Sequence, residues 1–136
     1  MEDVIVRIET DVNPTEDLEK VKKALSIITP DQNLEEVKKG YKSFIGLEKK
    51  GIAALAQLFS RLRDEMILDA ARKALFSSTK ENVISFHLNK QAAFAGRISF
   101  CKPTGESPLG PISVHIRCTD PEALIEWLAP STSRKQ

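Results

Sequence analysis

Val4, Val6 and Ile8 alternate with Ile5, Arg7 and Glu9, the period-two pattern of a strand that commits one face to a core. Asn13, Pro14 and Thr15 break that strand. Leu18, Val21, Leu25 and Ile28 then recur at helical spacing, with Glu16, Asp17 and Glu19 around the first turn, where acids complement the helix dipole. This first helix should stop before Pro30, which cannot continue it. From Leu34 to Ile45, the residues Val37, Tyr41, Phe44 and Ile45 flank Gly40 and read as a hairpin of two short strands.

Gly51 to Ser77 has no proline and no internal glycine, and Ile52, Leu55, Phe59, Leu62 and Met66 form a helical stripe. A second stripe, Ile67, Ala71, Ala74 and Leu75, is rotated by roughly 130° at 100° per residue, too far for one straight helix to bury on one surface. Two helices broken near Asp64 are therefore expected, with Asp64 as the second N-cap. Three strands follow, over Val83 to Leu88, Arg97 to Cys101 and Pro111 to Cys118, separated by Gly96 and a loop rich in Pro and Gly. Asp120 and Pro121 start a short final helix with Leu124, Ile125, Trp127 and Leu128 on its apolar side, stopped at Pro130. The element order predicts an α+β protein.

A chain of 136 residues with 41% hydrophobic and 29% charged residues fits one globular domain over residues 1–130, with 131–136 as a disordered tail. Its apolar runs fall far short of the ~20 residues that span a bilayer, and its acidic start is unlike a signal peptide. No membrane association and a cytoplasmic location are expected. Cys101 and Cys118 are read as reduced core residues, since a hairpin between their strands would hold them well apart.

Net charge is only +1, but residues 1–36 contain ten acids against four bases, whereas 37–102 contain thirteen bases against five acids. The basic middle suits either a nucleic-acid backbone or an ordinary solvated helix surface. His87 and His115 stand alone in strand patterns, with no HxxxH, HxH or CxxC spacing nearby, so no metal and no cofactor are expected. There is no GxSxG elbow, phosphate loop or GxGxxG turn, and a non-enzymatic protein is expected.

Two segments stand out from the scaffold. In Leu88-Asn89-Lys90-Gln91-Ala92-Ala93-Phe94-Ala95-Gly96, Lys90 suits a phosphate contact, and the amides of Asn89 and Gln91 suit either a base edge or a helix cap. Glu106-Ser107-Pro108-Leu109-Gly110-Pro111-Ile112 reads as a rigid hairpin connection. These strings, with Pro14-Thr15-Glu16-Asp17, Ile67-Leu68-Asp69-Ala70-Ala71-Arg72 and Trp127-Leu128-Ala129-Pro130, resemble an archaeal family of uncharacterised proteins nearly end to end.

That resemblance implies an antiparallel-rich sheet with helices packed on one face, similar to large-subunit ribosomal protein five. It also implies RNA binding and a link to the archaeal exosome. The expected function is thus a non-catalytic RNA-binding module, contacting the backbone through Lys90, Arg97, Lys80 and Arg72 beside Asn89 and Gln91. Few aromatic residues, 6% of the chain, leave little for base stacking. The competing expectation is a protein-interaction subunit or homo-oligomeric scaffold without nucleic acid, a homodimer among its forms, whose sheet face or edge docks on itself or on a larger complex.

Overall fold

The computed structural model describes residues 3–30, 34–40, 42–103 and 109–131. Twelve elements follow one another in these segments: β1 (Ile5–Val12), α1 (Leu18–Leu25), β2 (Glu35–Lys39), β3 (Lys42–Lys50), α2 (Ala56–Asp64), α3 (Leu68–Ser77), β4 (Thr79–Lys80), β5 (Val83–Leu88), α4 (Lys90–Phe94), β6 (Phe100–Cys101), β7 (Ile112–Arg117) and α5 (Pro121–Leu128). A single 3₁₀ turn, Ile52–Leu55, leads into α2. The tail expected over 131–136 lies outside the described residues except for Ser131, and Glu106 to Pro108 lie outside them as well.

All strand pairings are antiparallel, in the order β2-β3-β1-β7-β5-β4, with β6 pairing to β5 as well. Side-chain alternation gives this sheet two unlike faces. Val6, Ile8, Ile84, Phe86, Ile112, Val114 and Ile116 point into the core, where they join Leu25, Leu58, Leu62, Leu75, Leu124 and Leu128 from the helices in one cluster. Burying each such side chain contributes about 1.5–3 kcal/mol before entropy is counted. The helices cover that face only. Their partners in each strand, among them Arg7, Glu9, Ser85, His87, Ser113 and His115, lie on the open face.

The α+β class, the antiparallel sheet and the one-sided helix layer agree with expectation, as do the 34–45 hairpin and the cap at Asp120, whose side chain accepts from the Ala123 amide. Several boundaries differ. Asp64 is the last residue of α2 rather than the cap of α3, and the break falls at Glu65 to Ile67. Met66, expected in the apolar stripe, takes φ 57° and is 89% exposed. The Ile67 amide donates to Leu62 O, so Met66 occupies the left-handed position usually left to glycine in a helix-ending turn. Of the strand expected over Arg97 to Cys101, only Phe100–Cys101 pairs. The expected hairpin between the cysteine strands does not form, because β5 lies between β6 and β7. No disulfide joins Cys101 and Cys118: the first stands opposite His87, and the second is bonded through its amide to Asn82 O, at the other end of β5.

One glycine is needed by the sheet itself. A Cβ on Gly46 would stand 2.4 Å from Ile8 O, so only glycine allows β3 to approach β1 there.

Candidate nucleic-acid interface

The Asn89 to Gln91 junction folds inward. Asn89 is the N-cap of α4, its Oδ1 accepting from the Ala92 amide at 2.9 Å. Of its two sequence readings, the cap is the one realised. Lys90, expected as a phosphate contact, is only 4% exposed. Its Nζ donates to Asp11 O and Leu109 O, both at 2.8 Å, and to the Glu16 carboxylate at 3.1 Å. These partners use the donors of the ammonium group. Burial alone would raise the Glu16 carboxyl, but the backbone and side-chain bonds from Asn13 together with Lys90 hold it below its ordinary value.

Lys90 is thus a buried tie between β1, the start of α1 and the loop that enters β7. Asn13 Nδ2 also donates to Leu109 O, and Gly110 follows at φ 89°. Three of the strings that carry the family resemblance, around Glu16, Lys90 and Leu109, therefore meet in one polar knot inside the fold. Gln91 is exposed at the rim of a depression of about 320 Å³ between α1 and α4.

Arg72 is also engaged. Its guanidinium donates to Glu126 and to Ala129 O at the end of α5, and it lies 5.0 Å from the Phe76 ring. This role ties α3 to α5, and the hydrogen bond holds the Glu126 carboxyl below its ordinary range. Arg97 is exposed beyond α4, on the approach to β6, which pairs at the Leu88 end of β5. Lys80 is exposed on β4, paired with Val83 at the opposite end. The four cations expected to form one surface are therefore one buried tie, one helix clamp and two side chains at opposite ends of a strand.

Strand register gathers a different set. Lys80 pairs with Val83, Val83 with Arg117, Arg117 with Ile5, and Ile5 with Lys50. All five lie on the open face in one row across β4, β5, β7, β1 and β3. At ~4.8 Å per strand the row spans roughly 19 Å. Among the described residues, Lys80, Arg117 and Lys50 are exposed and none joins an ion pair.

The neighbouring row is Ser85, His115, Arg7 and Glu48, and the one beyond it is His87, Ser113, Glu9 and Gly46. His115 Nδ1 lies 2.8 Å from Ser85 Oγ, and its Nε2 lies 3.5 Å from Glu9 Oε1. His87 Nδ1 lies 3.0 Å from Ser113 Oγ, and the two imidazoles meet edge to face at 6.5 Å. Burial, and then the neighbouring His115, push the His87 pKa down. The histidines that stand alone in the sequence are thus neighbours in the sheet. Among the described side chains, the face carries Lys80, Arg117 and Lys50 in one row and Glu9, Glu35 and Asp11 further along the strands.

Arg117, Lys50 and Arg7 belong to no motif along the chain that would mark them as surface contacts. Alternation in β7 places Arg117 opposite the core positions, but its alignment with Lys50 and Lys80 requires the strand order. Among the described residues, no three His, Cys, Asp or Glu side chains gather as a metal site, and no helix is long and apolar enough to cross a membrane.

An antiparallel sheet covered by helices on one face is an architecture shared with solved archaeal proteins. A family model described as RNA binding matches residues 5–118. The chain belongs to the UPF0201 family. It is 47% identical to a UPF0201 protein of Sulfurisphaera tokodaii over 127 residues, covering 93% of this chain and 88% of the relative. A UPF0201 protein of Thermococcus kodakarensis is 42% identical, with 93% and 90% covered. The crystal structure of a UPF0201 protein from Methanococcus jannaschii superposes with a TM-score of 0.82 at 35% identity, covering 95% of each chain.

Proposed function

We propose that this protein is a non-catalytic RNA-binding module that contacts the nucleic-acid backbone through the open face of its sheet, at the row formed by Lys80, Arg117 and Lys50. The observation that carries this reading is the row itself: three exposed cations without acidic partners, held on one rigid surface by strand register. Unpaired cations release counterions when they meet phosphates, whereas Lys90 and Arg72 would first have to abandon internal partners. Ile5 and Val83, between the cations, give sugars an apolar floor. The description of the matched family model points the same way.

No aromatic side chain stands in the row, so recognition is by backbone and shape rather than by base stacking. The Ser85, His115 and Glu9 line does not argue for catalysis. His115 and Glu9 side chains are each 35% exposed, their contact is 3.5 Å, and the depressions next to Glu9 and next to Ser85 both exclude His115. A site of this kind lacks the dry, enclosed setting that makes a hydrogen-bonded serine a nucleophile.

Fluorescence anisotropy with single-stranded and duplex RNA oligonucleotides at two salt concentrations tests the proposal. Three phosphate contacts to a single strand predict a log–log salt slope of about −2. Replacing Lys80, Arg117 and Lys50 together by alanine should abolish the salt-dependent binding while leaving the fold intact. An absence of binding at low salt, or undiminished binding by the triple variant, defeats it.

A further inference from the structure

The sheet ends at β2, and no described strand pairs with its outer edge. Its sequence, Glu35-Glu36-Val37-Lys38-Lys39, is a charge palindrome about Val37. Glu35, Glu36, Val37 and Lys38 are exposed, and Val37 is one of few large apolar residues that face solvent, at 50%. An open edge offers free main-chain donors and acceptors to any extended segment. Charges usually defend such an edge, but here their order makes the edge complementary to itself.

We propose that the outer edge of β2 is the interface between two copies of this chain, paired antiparallel about a twofold axis through Val37. In that register Val37 faces its own counterpart. Glu36 stands opposite Lys38 of the second copy and Lys38 opposite Glu36. Opposite charges in directly facing positions stabilise a strand pair, and like charges disfavour it.

Competing registers are worse. Sliding by one residue sets Val37 against Glu36 or Lys38 and turns the side chains to the wrong faces. Sliding by one further residue places Glu36 against Glu36 or Lys38 against Lys38. The palindrome therefore specifies one register as well as a partner. Val37 pairs within its own chain with Phe44, and both line a depression of about 340 Å³ on the open face with Glu35 and Gly46. Two copies would join these apolar residues across the axis as Phe44, Val37, Val37 and Phe44. The result is one continuous sheet through both molecules, an isologous contact of the kind that closes a dimer.

Sedimentation velocity on the full chain, from micromolar to near-millimolar concentration, tests this. The wild type should approach twice the chain mass as concentration rises. Glu36→Lys and Lys38→Glu should each weaken self-association by at least about tenfold, because every altered position meets a like charge. Mixed one to one, the two variants should associate with each other, since one chain then carries lysine at both positions and the other glutamate at both, and every facing pair is opposite in charge. A single chain with both changes should regain wild-type association, and it decides the matter even if one reversal alone fails to fold. A wild type that stays monomeric throughout, reversals that associate as well as the wild type, or folded variants that ignore each other when mixed would each overturn the proposal. None of these measurements depends on RNA.

Discussion

Two polar clusters built from similar residue types meet opposite fates in this molecule. At the junction of β1, α1 and α4, Lys90 and Glu16 are shut inside, with side chains 5% and 9% exposed and main-chain carbonyls taking the remaining donors. On the open sheet face, Arg7 touches Glu9 at 3.5 Å and Glu48 at 3.7 Å with all three side chains partly open to water, beside three cations that pair with no acid among the described residues. A buried ion pair costs desolvation and is retained where several further hydrogen bonds complete it, so it acts as a structural tie. An exposed pair contributes little to stability and leaves its groups available. Burial, rather than residue type, separates scaffold from surface chemistry here.

The sharpest way to break that contrast is Lys90→Met. It keeps the volume but leaves the buried Glu16 carboxylate without its cation and removes the ammonium donor from Asp11 O and Leu109 O, and chemical denaturation should register a loss of about 3–5 kcal/mol. RNA affinity of the fraction that remains folded should be unchanged. A stable Lys90→Met variant with weakened RNA binding would reverse the two assignments.

Acid offers a second, smaller probe. The Glu16 carboxyl is depressed in the folded chain, so its contribution is complete above the ordinary value of 4.5 and is lost as pH falls through the lower folded value. His87 acts in the same direction at higher pH. With its folded pKa lowered, the unfolded chain takes up the proton first, and stability declines as pH drops below the ordinary value of 6.5. Thermal melts from pH 7 to pH 3 should therefore fall in two stages. Glu16→Gln should shrink the lower one, to which the Glu126 carboxyl held by Arg72 also contributes, and His87→Gln the upper one, and a profile unchanged in either variant would contradict its assignment.

The smallest effect is expected from Arg72→Lys. This change keeps the charge but loses the fork that reaches both Glu126 and Ala129 O. A slight drop in melting temperature with unaltered RNA affinity would sharpen the division between paired and unpaired cations. A clear loss of RNA binding would return Arg72 to the interface.

Much of the fold was legible along the chain because its signals are local. Alternation at Val4, Val6 and Ile8 marks β1, the Asp120-Pro121 pair starts α5, and the turn at Gly40 separates β2 from β3. Where local signals misled, a neighbour had intervened. Met66 has the spacing of a core residue, but the turn that reorients α3 rotates it into solvent. Arg97 to Ser99 look like strand, yet the Ile98 amide is taken by the Glu65 carboxylate rather than by β5.

The site was less legible than the fold, for a physical reason. Sequence spacing reports which residues share a strand face, and on that basis the chain alone determined that Arg117, His115 and Ser113 point one way and Ile112, Val114 and Ile116 the other. Which strands lie side by side depends on long-range packing. Only the order β2-β3-β1-β7-β5-β4 brings Lys80, Arg117 and Lys50 into one row and His87 beside His115. Burial is equally a tertiary outcome: nothing in Leu88-Asn89-Lys90-Gln91 announces that Lys90 turns inward, because Glu16 lies 74 residues away and Asp11 O lies 79. The sequence by itself determined which elements form and what chemistry they carry. The tertiary structure decided which charges are spent inside and which are left for a partner.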